Sequence, residues 1–123
     1  MNTATFRTLI EQMGIPRQWI ASELEVNERT VRRWLSPGHD TVPDGVASWV
    51  MRQLRAFEGL IDTEYSKQVD ADSAPQVTIL RIPGEPHALT AQGMPVGMVN
   101  AAMGALALEL IPGPRTVTID WQK

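Results

Sequence analysis

The sequence of 123 residues contains no cysteine and only two histidines. The absence of thiols excludes disulfide bonds and thiolate metal sites. The histidines, His39 and His87, stand in different segments and lack the spacing of metal ligands. No glycine-rich phosphate loop and no set of catalytic side chains can be recognised either. We therefore expect a protein that is not an enzyme and that binds no metal or cofactor.

Long apolar runs are equally scarce. Only residues 94–111, MPVGMVNAAMGALALELI, approach the length of a membrane span. This segment contains Asn100 and Glu109, is bracketed by prolines and lacks flanking basic residues, which favours a buried helix. The N terminus lacks the basic segment and apolar run of a signal peptide. We predict a cytoplasmic protein with no membrane partner.

An overall excess of positive charge is also lacking, since the formal net charge is −3 and the pI is about 5.3. This balance argues against a protein that coats nucleic acid through charge alone. Residues 1–58 nevertheless hold seven of the eleven basic side chains. Their densest cluster is Arg29, Arg32 and Arg33. Such a cluster is either an ordinary solvated helix face or a surface for an anionic partner.

Hydrophobic periodicity predicts an α+β fold that is mainly helical. Four amphipathic helices are predicted over residues 3–13, 16–24, 28–35 and 41–66. The small, acidic segment 70–76 indicates a linker. Beyond it, short β-rich stretches flank an apolar helix over residues 95–111. We therefore expect a four-helix domain over residues 1–69 and a strand–helix–strand region over residues 77–123.

The second and third helices, with the turn between them, contain WIASELEVNERTVRRWL over residues 19–35. Their apolar residues have the spacing that sets two helices at the steep angle of a helix-turn-helix. These inward residues are Ala21, Leu24, Val26, Val31 and Trp34. With Thr30, they match the form A-x-x-L-x-V-x-x-x-T-[VI]-x-x-W. In this the sequence resembles the XRE family of Cro/repressor-type regulators, over about residues 3–58.

One turn position departs from the family pattern. The family commonly has glycine where the backbone becomes left-handed, whereas this sequence has Glu25. A side chain in that conformation costs about 1 kcal/mol. We expect the turn to keep its geometry at this cost.

The resemblance implies that the helix over residues 28–35 is a recognition helix for double-stranded DNA. Family positions that read bases fall on Glu28, Arg29 and Arg33. Arginine can hold guanine with two parallel hydrogen bonds, and glutamate can accept one from cytosine. Phosphate contacts are expected from a second set of side chains around the same helix. This set is Arg17, Asn27, Thr30 and Arg32.

The apolar helix over residues 95–111 raises the question of what covers it. A helix that is apolar around most of its circumference needs partners on two sides. Two short strands cover one side at most, so we expect a homodimer interface along a 3-4 spaced seam. The seam residues are Val99, Met103, Leu106 and Leu110. The layout is similar to that of small phage-type and anti-CRISPR-associated repressors.

Together these features predict a homodimeric DNA-binding transcriptional regulator that represses its own promoter by binding an inverted repeat. Two alternatives stay open at this point. One is an antitoxin whose C-terminal region neutralises a toxin. The other is a phage packaging or excision protein that uses the same motif architecturally.

Overall fold

The computed structural model describes residues 1–38, 41–70 and 76–123. The elements are α1 (Thr3–Gln12), α2 (Arg17–Leu24), α3 (Glu28–Leu35), α4 (Asp44–Asp70), β1 (Gln76–Arg81), α5 (Val96–Leu110) and β2 (Thr116–Trp121). Within these ranges the fold is α+β and mainly helical, as predicted. His39 and residues 71–75 of the predicted linker lie outside the described residues.

Local sequence signals set the ends of the first three helices. The Asn2 side chain accepts a hydrogen bond from the Thr5 amide at 2.8 Å and caps α1. Asn27 does the same for α3, accepting from the Thr30 amide at 2.9 Å. Gly14 follows α1 with φ of +65°, a conformation that glycine adopts without steric cost. These ends keep α1, α2 and α3 short and separate.

Glu25, between α2 and α3, has the expected left-handed backbone, with φ of 54° and ψ of 44°. We expect Glu25→Gly to raise the free energy of unfolding by up to about 1 kcal/mol, because the strained β carbon is removed. Urea unfolding followed by circular dichroism measures this change. The control is Glu23→Gly inside α2, which should instead lower stability by about 0.5–1 kcal/mol. Equal losses in both variants would contradict the prediction.

The long helix α4 contacts both α1 and α5 and connects the two regions of the chain. Near its start, Trp49 packs against Trp19 of α2, with 5.5 Å between ring centroids. Val50 is fully buried, and Phe57, two turns further along, is also buried. The buried side chains of α1–α4 and of β1 and α5 form one hydrophobic cluster. The two predicted regions therefore share a core.

The strands β1 and β2 form a two-stranded parallel sheet and are connected through α5. Val77 and Ile79 of β1 are buried, and β1 packs against α5. After β1, the Ile82 amide donates to Asn100 Oδ1 at 2.8 Å. Asn100 Nδ2 in turn donates to the Ile82 carbonyl at 3.0 Å. The Asn100 side chain of α5 thus satisfies both backbone groups, as a neighbouring strand would.

The structure gives the predicted seam of α5 a partner within the same chain. Met103, Leu106 and Leu110 are 7%, 1% and 8% exposed and belong to the core, and Val99 is partly buried against it. Val99, Met103 and Leu106 face a groove whose opposite wall is the C-terminal half of α4. In this fold Met103, Leu106 and Leu110 are therefore buried in the chain's own core, and only Val99 of the predicted seam remains partly accessible.

The first turn of α5 also meets its own chain. A β carbon added to Gly14 would overlap the Gly97 carbonyl oxygen. One added to Gly97 would lie 2.7 Å from the Gly14 carbonyl oxygen. The turn between α1 and α2 therefore rests directly on α5, at a distance that only two glycines permit.

Candidate nucleic-acid interface

The helix α3 is held by contacts with both α1 and α2. Val31 is fully buried, and the other four predicted inward residues are partly buried against the core. Trp34 packs edge-on against Phe6 of α1, with ring centroids 6.3 Å apart and an interplanar angle of 82°. The Val26 amide donates to the Ala21 carbonyl at 3.0 Å and closes the turn after α2. These contacts fix which face of α3 is presented to solvent.

At the start of α3, Asn27 and Thr30 are bonded to each other. Asn27 Oδ1 accepts from the Thr30 amide and, at 3.1 Å, from the Thr30 hydroxyl. The Thr30 hydroxyl proton is therefore engaged within the chain, while the Asn27 amide nitrogen still has its two protons to donate. Of these two predicted phosphate contacts, Asn27 is the better prepared donor, and Thr30 must break its bond to Asn27 before it can donate.

The solvent-facing side of α3 is rich in guanidinium groups. Arg29, Arg32 and Arg33 are exposed, as are Glu28 on the same helix and Arg17 at the start of α2. Within the part of the chain that the structure describes, none of these four arginines has a carboxylate within 4.0 Å. In the described ranges, arginines on α4 also lack such partners, so what distinguishes these four is their clustering around one short helix. A cluster of unpaired guanidinium groups is available to an anionic partner.

Arg32 and Arg17 meet at one cleft, together with an arginine that sequence reasoning did not assign to the site. The cleft has a volume of about 420 Å³ and is bordered by Arg7 of α1, Arg17 of α2 and Arg32 of α3. Arg7 pairs with Glu11 on its own helix and donates to the Leu35 carbonyl at 3.4 Å. Because Arg7 and Glu11 are four residues apart, the sequence indicates an ordinary helix-surface ion pair. Only the fold brings Arg7 to α3.

Arg33 borders a different cleft from Arg32. This second cleft is also lined by Trp34 and by residues 41–44, where α4 begins. Arg29 is one turn before Arg33, so the two share a stripe of the helix, whereas Arg32 is rotated away by about 100° from Arg33. Arg29 and Arg33 thus form a central pair, and Arg32 belongs to the flank beside α1 and α2.

Comparisons with protein-family models, with curated proteins and with solved structures find no match for this chain. No helix in the described ranges is both long and apolar enough to cross a membrane. Across residues 1–38, 41–70 and 76–123, no cluster of three or more His, Asp or Glu side chains could hold a metal ion. Function is therefore argued from the chemistry of the site itself.

Proposed function

We propose that the chain is a sequence-specific regulator of transcription that binds double-stranded DNA as a homodimer and represses its own promoter. In this proposal α2 and α3 form a helix-turn-helix, and α3 enters the major groove. The observation that carries it is the set of four exposed arginines without carboxylate partners around one short helix. DNA presents a regular array of phosphates to this surface. Binding is favourable because the arginines displace the counterions that are condensed around those phosphates.

The arrangement around α3 supports two different roles for these side chains, base reading and phosphate binding. Arg29 and Arg33, on one stripe, are proposed to read guanine, and Glu28, at the N-terminal end of the helix, is proposed to accept from cytosine. Arg32 and Arg17 border one cleft on the flank and are proposed to bind phosphates, joined there by Arg7. Asn27 would donate from its free amide nitrogen to the same backbone. Base contacts then specify the site, and phosphate contacts position the helix.

A two-fold pair of recognition helices fits successive major grooves about 34 Å apart. The operator is therefore expected to be an inverted repeat with half-site centres about 10–11 bp apart. A second module also raises affinity, because once one half-site is bound the other is presented at high effective concentration. A single small module binds with less contact area than a typical specific complex.

The test begins with selection of bound fragments from random DNA. Titration of the selected and a scrambled duplex at several salt concentrations then measures affinity and its salt dependence. Arg29→Ala and Arg33→Ala are each expected to cost about 1–3 kcal/mol on the selected duplex and to relax one base preference per half-site. Arg32→Ala should weaken both duplexes alike and reduce the log–log salt slope by about one for each copy bound.

Arg55→Ala is the matched control. Arg55 is also an exposed arginine without a carboxylate partner in the described part of the chain, but it lies on α4, about 16 Å along the helix axis from Asp44. Its removal changes net charge equally and should leave affinity within about twofold. No binding to any duplex at low salt would refute the proposed function. If Arg29→Ala, Arg32→Ala and Arg33→Ala change affinity and base preference equally, the distinction between base-reading and phosphate-binding arginines is refuted.

A further inference from the structure

The two strands of the sheet are buried very unequally. In the parallel register, Ile79 lies beside Ile119, and Arg81 lies beside Trp121, so these side chains share the face turned toward α5. Ile79 is only 2% exposed, whereas Ile119 is 49% and Trp121 is 54% exposed. The helix α5 therefore covers β1, whereas on the same face of β2 only Val117 is partly buried. The Trp121 ring stacks with the Arg81 guanidinium at 5.2 Å, and its remaining surface is exposed with that of Ile119. Ile119 and Trp121 are two residues apart and project from the same face of β2. Two such large apolar side chains together are unusual on a surface that binds nothing.

The outer edge of β2 is unpaired as well. The Gln122 amide donates to the Arg81 carbonyl at 2.7 Å, so the backbone groups of Gln122 point toward β1. Since backbone groups alternate along a strand, those of Val117, Ile119 and Trp121 point away from β1. In the described part of the chain β2 pairs with β1 alone. The Trp121 amide is satisfied by the Asp120 carboxylate at 2.8 Å, which leaves Val117 and Ile119 as the open part of the edge.

A strip of α5 lies beside this strand. Trp121 borders a groove of about 610 Å³ together with Ala101 and Gly104 of α5. One turn further along α5, Leu108 is 76% exposed. A β carbon added to Gly104 would meet no atom of the described chain within 4 Å. The exposed face of β2, its open edge and this strip of α5 form one surface, which we name the β2–α5 surface.

We propose that the β2–α5 surface binds a second copy of this chain, with the two β2 strands antiparallel about a two-fold axis at Ile119. The two sheets then join into one sheet of four strands, ordered β1-β2-β2-β1. Both α5 helices would lie on the same face of this sheet, one on each side of the Ile119 and Trp121 side chains at the junction. This inference rests on the proposed function for its choice of a second copy as the partner, and it replaces the buried α5 seam as the dimer interface.

The make-up of the surface favours a whole subunit over a peptide, because it combines an open strand edge with an exposed strip of helix. An added peptide strand would satisfy the edge of β2 but would leave Leu108 and the Gly104 strip in solvent. A second copy brings its own α5 and buries the edge, the strand face and the helix strip together.

Charge and side-chain pairing are compatible with this two-fold register. Between Thr116 and Gln122 the strand carries a single charge, at Asp120. With the axis at Ile119, Asp120 lies opposite Thr118 of the partner subunit, so two like charges do not face each other. Val117 lies opposite Trp121 of the partner subunit, whose amide exchanges its bond to the Asp120 carboxylate for one to the Val117 carbonyl. Ile119 faces its own copy. Every cross-strand pair on the inner face is therefore apolar.

The test is the oligomeric state of the full chain without DNA, measured by sedimentation and light scattering. The wild-type chain is expected to be a dimer, and Ile119→Glu is expected to be a monomer with an unchanged circular dichroism spectrum. Leu80→Glu is the matched control, because Leu80 is 46% exposed in the same sheet but lies on the opposite face of β1. Leu80→Glu should remain a dimer. A monomeric wild-type chain, or equal loss in both variants, would overturn the proposal.

A second measurement does not depend on a disruptive variant. Because the natural sequence has no cysteine, Ile119→Cys introduces a single thiol. Directly opposite residues of hydrogen-bonded antiparallel strands have Cα atoms about 5.5 Å apart, within the range that a disulfide bridges. Mild oxidation should convert most of Ile119→Cys into a covalent dimer and leave Leu80→Cys largely monomeric in a denaturing gel. The reverse pattern, or equal cross-linking, would overturn the proposed interface.

These outcomes are separate from those of the DNA titration. A dimer through β2 that binds no DNA would refute the proposed function and leave this interface standing. A chain that binds its selected duplex but remains monomeric without DNA would refute the interface alone.

Discussion

Leu106→Glu is expected to abolish cooperative folding. Leu106 is 1% exposed and lies in the single core shared by α4, α5 and β1. The substitution removes a buried aliphatic side chain, and it also places a carboxylate inside the hydrophobic core. Leucine deletions in cores cost about 2–5 kcal/mol, and an unpaired buried charge adds several more. Because small domains are stable by only about 5–15 kcal/mol, most of the folded population should be lost.

Urea unfolding followed by circular dichroism at 25 °C measures this loss. The matched control is Leu89→Glu, which makes the same chemical change at a leucine that is 60% exposed in the loop before α5. That variant should unfold within about 0.5 kcal/mol of the wild-type chain. A Leu106→Glu chain that keeps a wild-type midpoint would mean that α5 does not pack on α4 as the structure has it.

Gly14→Ala is expected to lower the free energy of unfolding by roughly 2–5 kcal/mol. The left-handed backbone at Gly14 alone costs a non-glycine residue about 1–2 kcal/mol. The new methyl group would also overlap the Gly97 carbonyl and lie 2.9 Å from the Ala101 β carbon. Overpacking of this kind costs about 1–3 kcal/mol, since the neighbour is backbone and cannot rotate away. The same unfolding experiment measures the loss.

Gly59→Ala provides the control for the change of residue type. Gly59 lies within α4, and a β carbon there would meet no described atom within 4 Å. Alanine in an open helix interior should therefore stabilise the chain by about 0.5–1 kcal/mol. The two substitutions are thus expected to have opposite signs. A Gly14→Ala chain as stable as Gly59→Ala would show that the turn and α5 can separate freely.

Short-range patterns predicted the type and order of the helices and strands, and some of their ends. The bounds of α3 coincide with those predicted, because Asn27 caps the helix and the apolar spacing ends at Leu35. Glu25 has the left-handed backbone that the family resemblance implied for this turn, although the family commonly has glycine there. The end of α4 was less well defined: the helix extends to Asp70 rather than to about residue 66. Polar residues continue a helix readily when no glycine or proline ends it.

The elements that pack against α5 could not be predicted from the sequence in the same way. Its apolar circumference correctly indicated contacts on more than one side. Sequence reasoning assigned the side of Met103 and Leu106 to a second copy because it counted only the two strands as cover. It did not foresee that α4 would lie against α5 within one core. An apolar stripe indicates that one face of a helix is covered. It does not indicate which element covers that face.

The arginines show the same division between local and long-range information. Helical periodicity placed Arg29, Arg32 and Arg33 outward, and all three are exposed. The cleft that Arg32 shares with Arg7 and Arg17 arises only when three helices pack, because these residues are far apart in the chain. Likewise, strict alternation in β2 predicts one apolar face, but only the position of α5 leaves that face open. Caps, turns and periods act within a few residues and can be read from the chain, whereas the partner of each face depends on packing between distant segments.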